Sequence, residues 1–260
     1  MTADPNDWNP ETYARFRGLR LQPALDLLAR VGALPDGDVI DLGCGDGAVG
    51  PALAAGFPGR RVVGLDASPA MLDKAAESGA YAALVRGDAA EWLPETAPAL
   101  IFSNAALHWL ADHATLLPRL AGMLAPGGTL AVQMPRQFNA PSHRFLRDIA
   151  ASMFPDRFDI AQYEAPVKPA VAYWQMLAPL GAVAAWESDY VQRLGPSDQG
   201  HPVRRFTEST AMRPFVEQMT AEEAAAFTHA YDTALTAAYP LLPDGAALFS
   251  FRRCFFTLKV

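Results

Sequence analysis

Between residues 38 and 134 the chain alternates short apolar runs with helix-patterned stretches, and no other feature narrows the possible folds as far. The runs are Asp38 to Leu42, Arg61 to Asp66, Ala82 to Asp88, Ala99 to Ser103 and Thr129 to Met134. They are mostly continuous in polarity, as strands covered on both faces are. Helix patterns separate them. One spans Val49 to Ala55, and a second spans Pro69 to Ser78, with Ser68 at its N-cap and Pro69 at its first position. A third runs from Leu116 to Leu124 and is closed by Pro126-Gly127-Gly128. An amphipathic stretch over Leu19 to Val31 precedes the first run. Strand–helix alternation of this kind calls for a parallel sheet with helices on both faces.

The second half follows a different pattern. Helices are expected over Ser142 to Met153, over Ala170 to Leu180 and over Thr220 to Tyr239. The last opens with Thr220 and Glu223 at the spacing of a capping box. Strands are expected over Val183 to Leu194 and Ala247 to Val260. The 260 residues therefore read as a single α/β domain, 1–260, whose sheet carries a helical cap built from insertions at about 136–180 and 195–244.

The most informative short segment is Asp41-Leu42-Gly43-Cys44-Gly45-Asp46-Gly47, which ends the first expected strand and leads into a helix. Glycines there let the backbone turn tightly and let a ligand approach it closely. In an open parallel sheet ligands bind beyond the carboxyl ends of the strands. No Gly-Lys-Ser/Thr follows, so a P-loop is excluded. Gly45, Gly47 and Gly50 do fit the dinucleotide pattern G-x-G-x-x-G, with Asp66 placed 21 residues after Gly45. Read from the strand end, however, the glycines are Gly43, Gly45 and Gly47, and no Lys or Arg stands in the loop to meet a phosphate. Asp41, Asp66 and Asp88 fall near the ends of three successive strands. Acidic groups without cations suit S-adenosylmethionine (SAM), which has a sulfonium, an ammonium and ribose hydroxyls but no phosphate. A nicotinamide dinucleotide, and with it an oxidoreductase, stays as the alternative.

These residues resemble the class I SAM-dependent methyltransferases. The resemblance implies a Rossmann-like sheet of seven strands, mostly parallel, with the last strand antiparallel. It implies cofactor contacts from Asp41, Gly43 and Gly45 in the glycine loop, and from Asp66 and Ala67 at the ribose. Asp88 and Ala89 would lie beside the adenine, and Asn104 at the methionine end. The loop Ser103 to Leu110 would lie beside the transferred methyl group, making His108 and Trp109 candidates for the catalytic site, whereas His113 reads as an ordinary surface histidine. Further features narrow the resemblance to the trans-aconitate 2-methyltransferase family: the Trp8-Asn9-Pro10 start, the loop around Asn104, His108 and Trp109, the Ala131-Val132-Gln133-Met134-Pro135 strand, and Arg213-Pro214. This likeness implies esterification of a small tricarboxylate such as trans-aconitate, with Tyr13, Arg20, Arg213, Tyr239 and Arg253 binding the anionic acid. The chain departs from the family on the substrate side: Gln22 where a second arginine is common, Phe206 where tryptophan is usual, and an apparent insertion over Ser197 to Pro202. Methyl transfer to a malonyl group on an acyl carrier protein, or to another small molecule, is a second reading. A SAM-binding module without catalysis is a third.

Composition limits the partners. With 51% apolar residues the chain has material for a sizeable core. The net charge of −7 argues against a nucleic-acid partner, because phosphate backbones select surplus Lys and Arg. Two cysteines, Cys44 and Cys254, are too few for a disulfide framework and read as reduced, buried thiols. The polar start shows no signal sequence and no apolar run is long enough to span a bilayer, so a cytoplasmic enzyme is expected. No metal cluster is expected, and the oligomeric state is left open.

Overall fold

The structure, a computed structural model, describes residues 17–208 and 210–260, with the side chains of residues 17–20 and 162 outside the description. Tyr13 lies outside the described residues, and so does the side chain of Arg20.

The expected alternation is present except between the third and fourth strands, where no helix forms. In chain order the elements are α1 (Arg17–Leu28), β1 (Val39–Leu42), α2 (Gly50–Gly56), β2 (Val62–Asp66), α3 (Pro69–Ala76), β3 (Ala83–Arg86), β4 (Leu100–Asn104), α4 (His113–Ala121) and β5 (Thr129–Pro135). They continue with α5 (Pro141–Met153), α6 (Ala170–Leu177), β6 (Ala182–Leu194), α7 (Pro202–Thr207), α8 (Arg213–Val216), α9 (Ala221–Ala238) and β7 (Ala247–Lys259). Single 3-10 turns occupy Leu107–Trp109, Ile160–Gln162 and Ala178–Leu180.

Seven strands form one sheet in the order β3-β2-β1-β4-β5-β7-β6. The neighbours from β3 to β5 are parallel, and β7 runs antiparallel to β5, from Thr129 opposite Lys259 to Pro135 opposite Arg253. The chain order reverses between β1 and β4, so the crevice at their carboxyl ends is where an open sheet of this kind binds ligands. The β1 residues are all buried, which accounts for their continuous apolar pattern. On one face Ile40, Leu42, Ile101, Leu130, Val132 and Phe256 pack with Leu116, Leu117 and Leu120 of α4 and with Tyr173 and Leu177 of α6. Burying such side chains stabilises by about 1.5–3 kcal/mol each. α1 packs against β5 and α2. Ser68 caps α3 as its sequence position predicts, accepting the Met71 N–H at 3.4 Å.

The chain divides into two compact units. The first holds the described residues up to Pro135 together with Val167–Glu187 and Arg253–Val260; the second holds Arg136–Pro166 and Ser188–Arg252. These limits differ from the insertions drawn on the sequence. The helix over Ala170–Leu177 goes with the sheet, because Tyr173 and Leu177 carry no exposed surface and fill its core.

In the second unit α9 packs on α5 and α7. The capping box at its start forms in full: Thr220 Oγ1 accepts the Glu223 N–H and the Glu223 carboxylate accepts the Thr220 N–H. Phe215, Phe227 and Tyr231 stack in a row, and the Tyr231 hydroxyl donates to the Ser142 carbonyl at 2.5 Å. Arg204 pairs with Asp232 and Glu208.

Candidate active site

The loop after β1 is shaped by three glycines in left-handed conformations, Gly43 at φ +74°, Gly45 at +52° and Gly47 at +76°. Each meets a different constraint. A Cβ on Gly43 would stand 2.2 Å from the Cβ of Ala106, so this glycine lets the loop touch the segment after β4. A Cβ on Gly47 would meet Ala75 of α3 at 2.8 Å. Nothing lies within 4 Å of the place where Gly45 would carry one, which leaves that turn of backbone open. The Gly45 N–H donates to Asp66 Oδ2 at 2.8 Å, and the Ser68 N–H donates to Asp66 Oδ1 at 2.9 Å. The carboxylate at the end of β2 is thus fixed beside the open turn, with a lone pair left on each oxygen. Ala67, next in sequence, is exposed.

Asp41 is buried and accepts the Tyr81 hydroxyl at 2.7 Å. Burial pushes its carboxyl up to about 7; the Tyr81 bond partly offsets this and the neighbouring Asp66 charge adds to it. Tyr81 itself was not anticipated from the sequence. Its ring would collide at 2.6 Å with a Cβ on Gly50 and at 3.0 Å with one on Gly64. A glycine in the middle of a strand, as Gly64 is, signals close approach by another group and could have pointed to such a partner. Gly50, the third glycine of the apparent dinucleotide pattern, is thereby accounted for by packing. Burial also raises the Cys44 thiol far above its usual range, followed by the charges of Asp41 and Asp66. Cys44 and Cys254 are both buried thiols, neither in a disulfide.

Asp88 follows β3 and is exposed; its carboxylate accepts the Ala90 N–H at 2.8 Å and its carbonyl accepts the N–H groups of Glu91 and Trp92. Arg119 of α4 braces this turn through the carbonyls of Ala89 and Trp92, at 2.7 and 2.9 Å.

Asn104 closes β4 and Ala105 follows with φ +53°, a strained conformation for a residue with a Cβ. The Ala105 N–H donates to the Gln133 carbonyl at 2.9 Å, tying the turn to β5. The 3-10 turn Leu107–Trp109 then presents His108 and Trp109, whose rings lie 4.6 Å apart. Trp109 is 62% exposed. Burial, then the Arg253 charge and His113, pushes His108 down to about 3, so its imidazole is neutral at pH 7. Arg253 is buried on β7 opposite Pro135.

His113 is not the surface histidine the sequence suggests. It is buried: Nε2 contacts the Leu107 carbonyl at 2.9 Å and Nδ1 the Tyr173 hydroxyl at 2.7 Å. The ring ties α4 and α6 to the turn that carries His108. An N-terminal helical position next to a capping Asp112 looks exposed in sequence, and the tyrosine that covers it comes 60 residues later.

Asp41, Gly43, Gly45, Asp66, Asn104, His108 and Arg253 all fall in the first unit, as do Ala67, Asp88, Ala89 and Trp109. Arg213 and Tyr239 fall in the second. There Arg213 Nε donates to Glu217 at 2.6 Å on an exposed helical turn. Tyr239 is buried, its hydroxyl accepting the Ser142 N–H at 3.2 Å and its carbonyl contacted by His201 at 2.9 Å. Among the described residues no group of three or more His, Cys, Asp or Glu could hold a metal ion.

A family model described as a methyltransferase domain matches residues 39–128, from β1 to the approach to β5. The trans-aconitate 2-methyltransferase of Methylobacterium radiotolerans is 44% identical over 96% of this chain and 96% of its own. That of Paracidovorax citrulli is 39% identical over 98% of both. The chain belongs to the trans-aconitate 2-methyltransferase family. It is accordingly a methyltransferase, and the oxidoreductase and non-catalytic readings fall away. Within the wider class, the YcgJ protein of Bacillus subtilis superposes with a TM-score of 0.56 at 15% identity, covering 92% of this chain and 97% of that one. At that identity the likeness supports the fold of this trans-aconitate 2-methyltransferase family member and nothing finer.

Proposed function

We propose that the protein transfers a methyl group from SAM to one carboxylate of trans-aconitate, giving a monomethyl ester. The observation that carries this reading is the open turn at Gly45 held against the Asp66 carboxylate, in a loop without cations. Such a turn suits an uncharged ribose and a cationic sulfonium.

Bound SAM supplies an electrophilic methyl group on a sulfonium. Asp66 accepts from the ribose hydroxyls through its remaining lone pairs. Gly45 allows close backbone approach, with Gly43 shaping the loop and Ala67 beside the ribose, Asp88 and Ala89 border the adenine, and Asn104 offers Oδ1 to the ammonium end. Asp41 supports the loop from beneath, through Tyr81. A small carboxylate is ionised at pH 7, so the acceptor needs no general base. A neutral His108 matches that requirement: it can line and orient without taking a proton. The chief task is alignment of carboxylate oxygen, methyl carbon and sulfur. Arg253, on the same unit, brings positive charge near His108 for the remaining carboxylates. Tyr13, Arg20, Arg213 and Tyr239 are proposed as substrate contacts on the strength of the family likeness alone.

No described helix is long and apolar enough to cross a membrane. Two cysteine thiols outside any disulfide are in keeping with the reducing cytoplasm proposed for the protein. A tritiated-methyl assay over small carboxylic acids and a malonyl-loaded carrier protein tests the function. Base-labile label on free trans-aconitate is expected; transfer only to the carrier protein would overturn the proposal.

A further inference from the structure

We infer that the side-chain amide of Gln133 is a substrate-binding group, donating a hydrogen bond to a carboxylate of the bound acid. This deepens the functional reading above and rests on it. Gln133 sits inside the apolar strand β5 with no exposed surface, and neither Nε2 nor Oε1 has a hydrogen-bond partner among the described residues. Leaving such an amide buried and unpaired is costly, and proteins retain it where something else completes it.

Its surroundings say what that is. Asn104 lies opposite Gln133 in the β4–β5 register, and its Oδ1 is likewise buried without a partner. His108, four residues beyond Asn104, has an unpartnered Nδ1. Side chains alternate between the faces of a sheet, so Gln133 shares its face with Asn104 across one pair and with Arg253 two residues along β7 from its partner Phe255. Three strands thus bring unpaired polar atoms and a buried guanidinium to one face, near the carboxyl ends of β4 and β5.

The sheet order separates cofactor from substrate. The glycine loop and Asp66 belong to β1 and β2; Asn104 on β4 is the next strand; Gln133 on β5 and Arg253 on β7 lie progressively farther from the ribose side. A ligand group reaching Gln133 is therefore beyond the cofactor, on the sheet face that carries the buried Arg253 guanidinium. That suits an anionic oxygen, with Nε2 as donor and Oε1 left to accept from water carried in with the acid.

The test uses the full-length enzyme with Gln133→Leu and the closely isosteric Gln133→Met. KM and kcat for trans-aconitate, calorimetric affinity for S-adenosylhomocysteine and thermal midpoint are measured together. Losing one hydrogen bond to a charged group should raise KM about tenfold or more. Cofactor-product affinity should stay within about twofold, and the midpoint should hold or rise, because the unpaired amide is gone. An unchanged KM with a lowered midpoint, or failure of both variants to fold, would make the amide structural and overturn the inference. Weakened S-adenosylhomocysteine binding with an unchanged KM would assign it to the cofactor, and overturn it equally. A wild-type enzyme that binds S-adenosylhomocysteine yet leaves trans-aconitate unmethylated strikes instead at the functional reading. The same split between KM and cofactor affinity, measured with the acid that does turn over, then decides for or against Gln133.

Discussion

Asp66 has two carboxylate oxygens, and the fold already uses one lone pair of each, for Gly45 and Ser68. Substitution therefore does two things at once: it removes the proposed ribose acceptor and it frees the glycine turn. Asp66→Ala should weaken S-adenosylhomocysteine binding in calorimetry by about tenfold or more. Asp66→Asn, which retains one acceptor oxygen, should lose less; equal, small losses for both would remove the residue from the cofactor site. His108 offers the opposite case. Since its ring is neutral well below pH 7, replacing it by Ala should lower kcat by about tenfold or less, short of the 10²–10⁴ lost with a general base. A larger loss would mean that acid–base chemistry takes place. Asp66 and His108 were both legible in the sequence, because one closes an apolar run and the other follows one. Gln133 was legible only as part of the Ala131-to-Pro135 segment; that its amide is buried and unpaired came from the strand.

At the scale of elements, the segment between β4 and α4 is held by two anchors that sequence spacing could not relate. Gly43 admits Ala106 against the glycine loop, and His113 bonds the Leu107 carbonyl while receiving the Tyr173 hydroxyl. Tyr173→Phe strips one partner from a buried imidazole nitrogen and leaves the ring size unchanged. It should cost about 1–3 kcal/mol in denaturant unfolding. It should also lower kcat more than it changes S-adenosylhomocysteine affinity, since the turn it steadies carries His108. A stability loss without any kinetic change would show that the turn holds its shape unaided. The start of α4 illustrates why boundaries were the harder part. Periodicity placed it at Leu116, whereas Asp112, capping from a left-handed conformation, starts it at His113.

Across the whole molecule the sheet was legible, and so were α5 and α9 of the second unit, while α7 and α8 were not. Five apolar runs, all but one pair joined through helices, permit few topologies, and the observed strand order is one of them. In the second unit α7 and α8 are six and four residues long, too short for a period to register, and their positions depend on aromatic and ionic contacts from distant sequence. One buried charge should nonetheless be readable in the stability of the whole protein. Asp41 titrates near 7 when folded against an ordinary value of 3.8. Its folded form holds the proton more tightly, so its contribution is complete below about pH 4 and is lost as pH rises toward 7. A pKa difference of about three corresponds to ~4 kcal/mol. His108, His143 and His201 act in the opposite sense, because their depressed values make the unfolded chain take up protons first as pH falls through the mid-sixes. The raw stability curve therefore mixes the two effects, and a difference between two proteins separates them. Asp41→Asn retains an acceptor for Tyr81 but cannot ionise, while the histidine contributions cancel in the subtraction. Unfolding free energies measured for both proteins from pH 4 to pH 8 should show the wild type losing up to ~4 kcal/mol relative to the variant across that span, and no further change above it. A constant difference would mean that Asp41 ionises in the folded protein as easily as in water, and that burial under the glycine loop does not govern its charge.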